Sequence, residues 1–223
     1  MGKRYAINSD FVFEDCLMTP CVYEGVLQRF DEFILPFISH LHASFQQNKS
    51  CDSMRGLLSD TERKNVEPIS YFHGEDRQSL QKFIGQSDWN DEVILDKLTA
   101  QTANEIGEGD GILILDPTSF PKKGKKSVGV QGQWCGRLGK NEHCQVATFL
   151  AYASSVDIAL VDRRLFLLDV WIENKSRCNK VGIPQQHHVK KTRHQQALEM
   201  IHGRGKKLPH KWIAGDDEMG KVP

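Results

Sequence analysis

The sequence predicts an α/β fold, with an all-helical region ahead of a sheet-forming half. Three observations carry this. Apolar residues recur at helical spacing from Phe30 to about residue 107. Short β-branched runs then replace them at residues 111–115, 128–134 and 144–153. Finally, two of the apolar runs, Gly111–Leu115 and Lys211–Ala214, each deliver an aspartate, Asp116 directly and Asp216 after Gly215.

The elements follow in chain order. Residues 1–29 have weak periodicity and read as a lead-in segment. Phe30, Phe33, Ile34, Phe37, Ile38 and Leu41 give a helix whose aromatic stripe is core, with a kink or break expected at Pro36. Met54, Leu57 and Leu58 continue an apolar face. Arg63 and Lys64, with Asp60, Glu62 and Glu67, read as a solvated, ion-paired helical face. Leu80, Phe83 and Ile84 make a short helix. Ser87 or Asp88 caps the next, in which Val93, Ile94, Leu95 and Leu98 point inward. Residues 30–107 are thus the helical domain, and the run from Glu105 to Asp110 punctuates the boundary before the second domain, residues 110–223.

In that domain Gly111–Leu115 is a buried strand with Asp116 at its end, where a carboxylate is held by a rigid element. The competing role for Asp116 is a cap on the turn begun by Pro117. Lys122, Lys123, Lys125 and Lys126 crowd one loop, an arrangement suited to a metal and a polyphosphate. Val128 and Val130 begin a second strand ending at Trp134 and Cys135. Residues 144–153 form a third, so the three read as an antiparallel meander. Ala197, Leu198, Met200 and Ile201 form a helix stopped by Gly203.

Composition sets limits. The 223 residues carry no net charge, but residues 1–110 hold 10 basic and 19 acidic side chains, and residues 111–223 hold 19 and 10. The halves therefore stand at −9 and +9, and the basic half suits a polyanion. From Glu173 to Trp212 there are ten Lys or Arg against two acids, with five His, a density that can track a phosphate backbone. No run is apolar enough to span a membrane, and no secretion signal is legible. The six cysteines then read as reduced thiols of a cytosolic protein, and buried structural thiols are favoured over a zinc site at Cys135, His143 and Cys144.

The runs LDPTSFPKKGKKSVGV, QWCGRLGK and CQVA resemble the first catalytic block of bacterial insertion-sequence transposases, members of the DDE endonuclease superfamily with an RNase H-like core. GLLSDTERKNVEPI, HGEDRQSLQKFIGQSDWN, LVDRRLF and WIAGDDEMG extend the resemblance from about Phe30 to near the end. It implies a mixed RNase H-like sheet and cut-and-paste DNA transposition. It also implies Asp116 and Asp216 as catalytic metal ligands for Mg2+ or Mn2+. The expected contacts to double-stranded DNA are Lys122, Lys123, Lys125, Lys126, Arg137, Lys140, Lys190, Lys191 and Arg193. A homodimer associated with the nucleoid is implied for the full-length family. The family's third ligand, a glutamate on a later helix, is not identifiable, since Glu218 is too close to Asp216 and Glu199 precedes it. The sequence therefore predicts a core incomplete at its C-terminus and a chain inactive by itself. The alternatives are a non-catalytic DNA-binding remnant and another RNase H-like metal nuclease.

Overall fold

The computed structural model describes residues 25–220; most of the expected lead-in lies outside them. The chain divides between Ile94 and Leu95 into two compact units. The first contains α1 (Val26–Ile38), α2 (Ser44–Leu58), α3 (Val66–Phe72) and α4 (Arg77–Gln86). The division falls inside α5 (Asp91–Ile106).

In the first unit, Ile69, Leu80 and Phe83 form the buried centre, with Val66 against them. Helix α1 runs through Pro36 without the expected break and ends two residues later. Its apolar stripe is only partly core: Ile34 is buried, whereas Phe33 is exposed, its ring 5.7 Å from that of Phe37 and tilted 47° to it. Leu57 and Leu58 are also exposed rather than part of an inward face. Residues 59–65 form bends and irregular loop, not a helix. Asn65 caps α3 by accepting from the Glu67 amide. Asn90, rather than Ser87 or Asp88, accepts from the Glu92 amide at the start of α5.

The second unit is built on five strands: β1 (Ile112–Pro121), β2 (Gln131–Cys135), β3 (Lys140–Ala153), β4 (Ile158–Phe166) and β5 (Trp212–Gly215). Four helices lie among them in sequence: α6 (Asp169–Ile172), α7 (Lys175–Lys180), α8 (Arg193–His202) and α9 (Asp217–Gly220). Strand β3 is central. It pairs antiparallel with β1 along one edge, and with β2 and then β4 along the other. Strand β5 adds parallel to β1. The result is an α/β mixed sheet consistent with an RNase H-like fold, preceded by helices.

The expected meander is corrected here. Strand β2 does not lie between β1 and β3; it pairs with the opposite edge of β3. The lysine-rich stretch is therefore a crossover loop rather than a hairpin turn. Val128 and Val130 also fall before the strand, in a turn where Gly129 takes φ +72, a conformation glycine adopts without steric cost.

One sheet face is packed. Leu113, Leu115, Leu150, Tyr152 and Val161 meet Ala197 and Met200 of α8, with Leu208 closing the cluster. Helix α8 opens with a capping box in which Thr192 and Gln195 satisfy each other's backbone amides. The Tyr152 hydroxyl donates to the Glu108 carbonyl and accepts from its amide. Gly111 lies against that ring: a Cβ there would sit 2.2 Å from the hydroxyl.

Candidate active site

The aspartates are placed by register. Strands β1 and β5 run parallel, with Ile112 opposite Trp212 and Leu115 opposite Gly215. Asp116 and Asp216 each follow directly on that last paired position. Leu113 and Leu115 point into the packed core, so the pleat turns Asp116 to the other face, where it is exposed. This is the carboxyl end of a parallel pair, a place where α/β sheets bind ligands.

Asp116 does not end its strand, as the sequence suggested. Strand β1 continues to Pro121 along β3. What ends at Leu115 is the pairing with β5, so β1 is an edge from Asp116 onward and tolerates Pro117 and Pro121. The role of turn cap belongs instead to Asp216. Its Oδ1 accepts from the Met219 amide at 3.0 Å, at the start of α9. Asp116 Oδ2 accepts from the Thr118 hydroxyl at 3.3 Å. Each carboxylate therefore has one oriented oxygen. Gly215 is required just before Asp216, since a Cβ there would lie 2.8 Å from that of Met219.

Two carboxylates that directly follow paired strand positions would suit a hard divalent ion, which prefers oxygen donors. Among the described residues, no group of three or more His, Cys, Asp or Glu comes together to hold a metal. The pair would therefore need water and substrate oxygens to complete a coordination shell. Cys135 and Cys144 are buried, whereas His143 is half-exposed and adjoins Cys144 on a pleated strand, where neighbours face opposite ways. Burial, with Cys135 alongside, pushes the Cys144 thiol up to about 11. Among the described residues Cys135, Cys144 and Cys178 are buried free thiols and Cys51 is half-buried.

The expected DNA-contacting cations fall into two sets. Lys122, Lys123, Lys125, Lys126 and Arg137 are exposed. The loop carrying the four lysines is tied down through its backbone. The Lys122 amide donates to His143 O, Gln145 donates to Val128 O, Trp171 Nε1 donates to Val130 O, and Arg177 donates to Lys125 O. Arg177 also lies over the Trp171 ring at 3.5 Å. The other set is matched by acids. Lys190 pairs with Asp169 at 2.6 Å, Lys191 with Glu199 at 2.8 Å, Lys140 with Glu142 at 3.4 Å, and Arg193 with Glu218. Lys190, Lys191 and Arg193 line an open concavity of about 590 Å3 beside the N-terminus of α8.

Sequence reading missed a buried ionic chain. Asp162, 2% exposed, accepts through Oδ1 from Arg164 at 2.5 Å and from Arg204 at 3.1 Å. Arg204 also meets Asp96 at 3.2 Å. The available signal was an acid inside the apolar run IALVDRRLF, which must find a cation if the run is a buried strand.

The family described as DDE superfamily endonuclease matches residues 36–221. A probable transposase for insertion sequence element IS701 from Microchaete diplosiphon is 36% identical over 94 residues. That match covers 41% of this chain and 24% of the relative's length. No solved structure matches the chain significantly. Among the described residues, no helix is long and apolar enough to cross a membrane. With more than half of its length matched by one family, the chain belongs to the DDE superfamily endonucleases.

Proposed function

We propose that this chain carries the two catalytic aspartates of an insertion-sequence DNA transposase, acting by metal-dependent phosphoryl transfer at transposon ends. The observation that supports it most is the parallel register that sets Leu115 opposite Gly215, so that Asp116 and Asp216 each directly follow the last paired residues of β1 and β5. Mg2+ or Mn2+ held there would polarise a phosphate oxygen and lower the pKa of bound water or a 3′-hydroxyl.

The chain's own residues do the rest. Asp116 and Asp216 present oxygens whose orientation is fixed by Thr118 and by the Met219 amide. Lys122, Lys123, Lys125 and Lys126 bind the duplex backbone and hold it in register, and Arg137 extends that contact. Lys140, Lys190, Lys191 and Arg193 join only where DNA phosphate displaces their acidic partners. Pairing of two copies across two transposon ends, beside the nucleoid, belongs to the same reading.

A second reading is DNA binding without cleavage. It is favoured by the absence, among the described residues, of a third ligand beside the aspartates. Duplex binding and strand cleavage measured with and without Mg2+ separate the two. Cleavage that needs metal and disappears in Asp116→Asn and Asp216→Asn, with binding retained, supports transposase chemistry. Salt-sensitive binding with no metal-dependent cleavage selects the second reading. A chain that neither binds nor cuts duplex DNA contradicts both.

A further inference from the structure

Strand β4 carries one register shift. Leu150 of β3 stands opposite Asp162, but the next residue, Ala151, stands opposite Leu160. Val161 is the extra residue, and it is wholly buried in the packed core. The consequence is a change of face. Had the register of Ile158, Ala159 and Leu160 continued, Asp162 would oppose Phe149 on the face of Asp116, and Arg163 would oppose Thr148 and point into the packed side. The bulge exchanges them. Asp162 turns inward to Arg164 and Arg204, and Arg163 comes opposite Phe149. Bulges re-aim side chains in this way beside functional sites.

Phe149 is itself opposite Asp116. Arg163, Phe149 and Asp116 thus form one row across three strands on one face, and Asp216 directly follows the last β5 residue paired to β1. Arg163 and Asp116 are two strands apart, about 10 Å between Cα atoms. A long guanidinium side chain can cross Phe149 towards a phosphate held at the aspartates. Burial, with Arg164 and Arg204 nearby, holds the Arg163 guanidinium below its ordinary value. A position that disfavours a cation gains from an anionic ligand.

We propose that Arg163 is a substrate-positioning residue, placed by the β4 bulge to grip a DNA phosphodiester next to the one presented to Asp116 and Asp216. This rests on the functional reading above and adds a residue to it. Arginine suits the role because its planar fork meets two phosphate oxygens at once.

The test is a duplex DNA titration by fluorescence anisotropy over a salt series, with Ca2+ present. Arg163→Gln should weaken binding and flatten the log–log salt slope by about one unit, the loss of one phosphate contact. Arg163→Lys should restore the slope but not the full affinity. A purely structural role would alter the melting curve and leave the slope unchanged. A wild-type slope in a folded Arg163→Gln chain, while the wild type binds DNA, overturns this inference alone. A wild type that does not bind DNA overturns the functional reading and this inference with it. Should Arg163→Gln lose its melting transition, arginine modification of the wild type by phenylglyoxal decides instead. Bound duplex should slow modification of Arg163, and equal rates with and without DNA overturn the proposal.

Discussion

Asp162 shows what single residues do here. Removing a carboxylate from water costs several kcal/mol unless its partners are well placed. Its partners Arg164 and Arg204 supply that placement, and Asp96 extends the chain to the surface. Asp162→Ala should therefore destabilise the chain by about 3–5 kcal/mol, since it removes the buried carboxylate that Arg164 and Arg204 share; urea unfolding checks this. The chain also predicts an acid limb. Burial acts to raise the Asp96 carboxyl, but Lys207 and Arg204 together outweigh it and hold the group below the usual carboxylate range. A depressed folded value means its contribution is full above the ordinary Asp pKa of about 3.9 and is lost as pH falls through the lower, folded value. Melting temperature should fall across that window, and Asp96→Asn should flatten the fall. None of this pairing was legible in the sequence. An acid inside an apolar run demands a cation, but nothing local says that Arg204 supplies it from the far end of α8.

At the scale of elements, the loop between β1 and β2 differs from the segment before α8, although both are basic. The first has its backbone pinned by Trp171, Arg177 and Gln145 while its lysines stay exposed. The second has Lys190, Lys191 and Arg193 matched to Asp169, Glu199 and Glu218. Replacing Lys122, Lys123, Lys125 and Lys126 with Gln should flatten the salt dependence of duplex binding by about one log–log unit per lost phosphate contact. The same change at Lys190, Lys191 and Arg193 should flatten it less, because those cations begin already neutralised. Anisotropy titrations of the two variants side by side provide the check. The density of lysines was legible in the sequence, and so were helix α8 and its stop at Gly203. The acids that neutralise the second set lie far along the chain or on other elements, so charge counting overstated its share. The order of strands was hidden for a similar reason. Short turns suggested a meander, but a fourteen-residue β3 is long enough to take β2 and β4 in turn along one edge.

Across the whole sheet, the two faces predict opposite sensitivities. Leu150 is fully buried among β1, β4 and α8, so Leu150→Ala should cost about 2–5 kcal/mol. Leu160, on the same sheet, is 60% exposed, and Leu160→Lys should change stability by no more than about 0.5 kcal/mol. Denaturant unfolding of both variants tests which face is core. The sequence could not separate these leucines, because both sit in apolar runs and the bulge resets the alternation between them. It did show both strand-then-aspartate patterns, and the parallel register of β1 and β5 brings the two strands side by side across a hundred residues of chain. The central claim is that this pair binds a divalent ion, and Mn2+ uptake followed by electron paramagnetic resonance tests it most directly. The wild type should take up Mn2+ that Mg2+ displaces, and Asp116→Asn and Asp216→Asn should each lose that uptake with an unchanged melting curve. Uptake equal to the wild type in both variants would contradict the account.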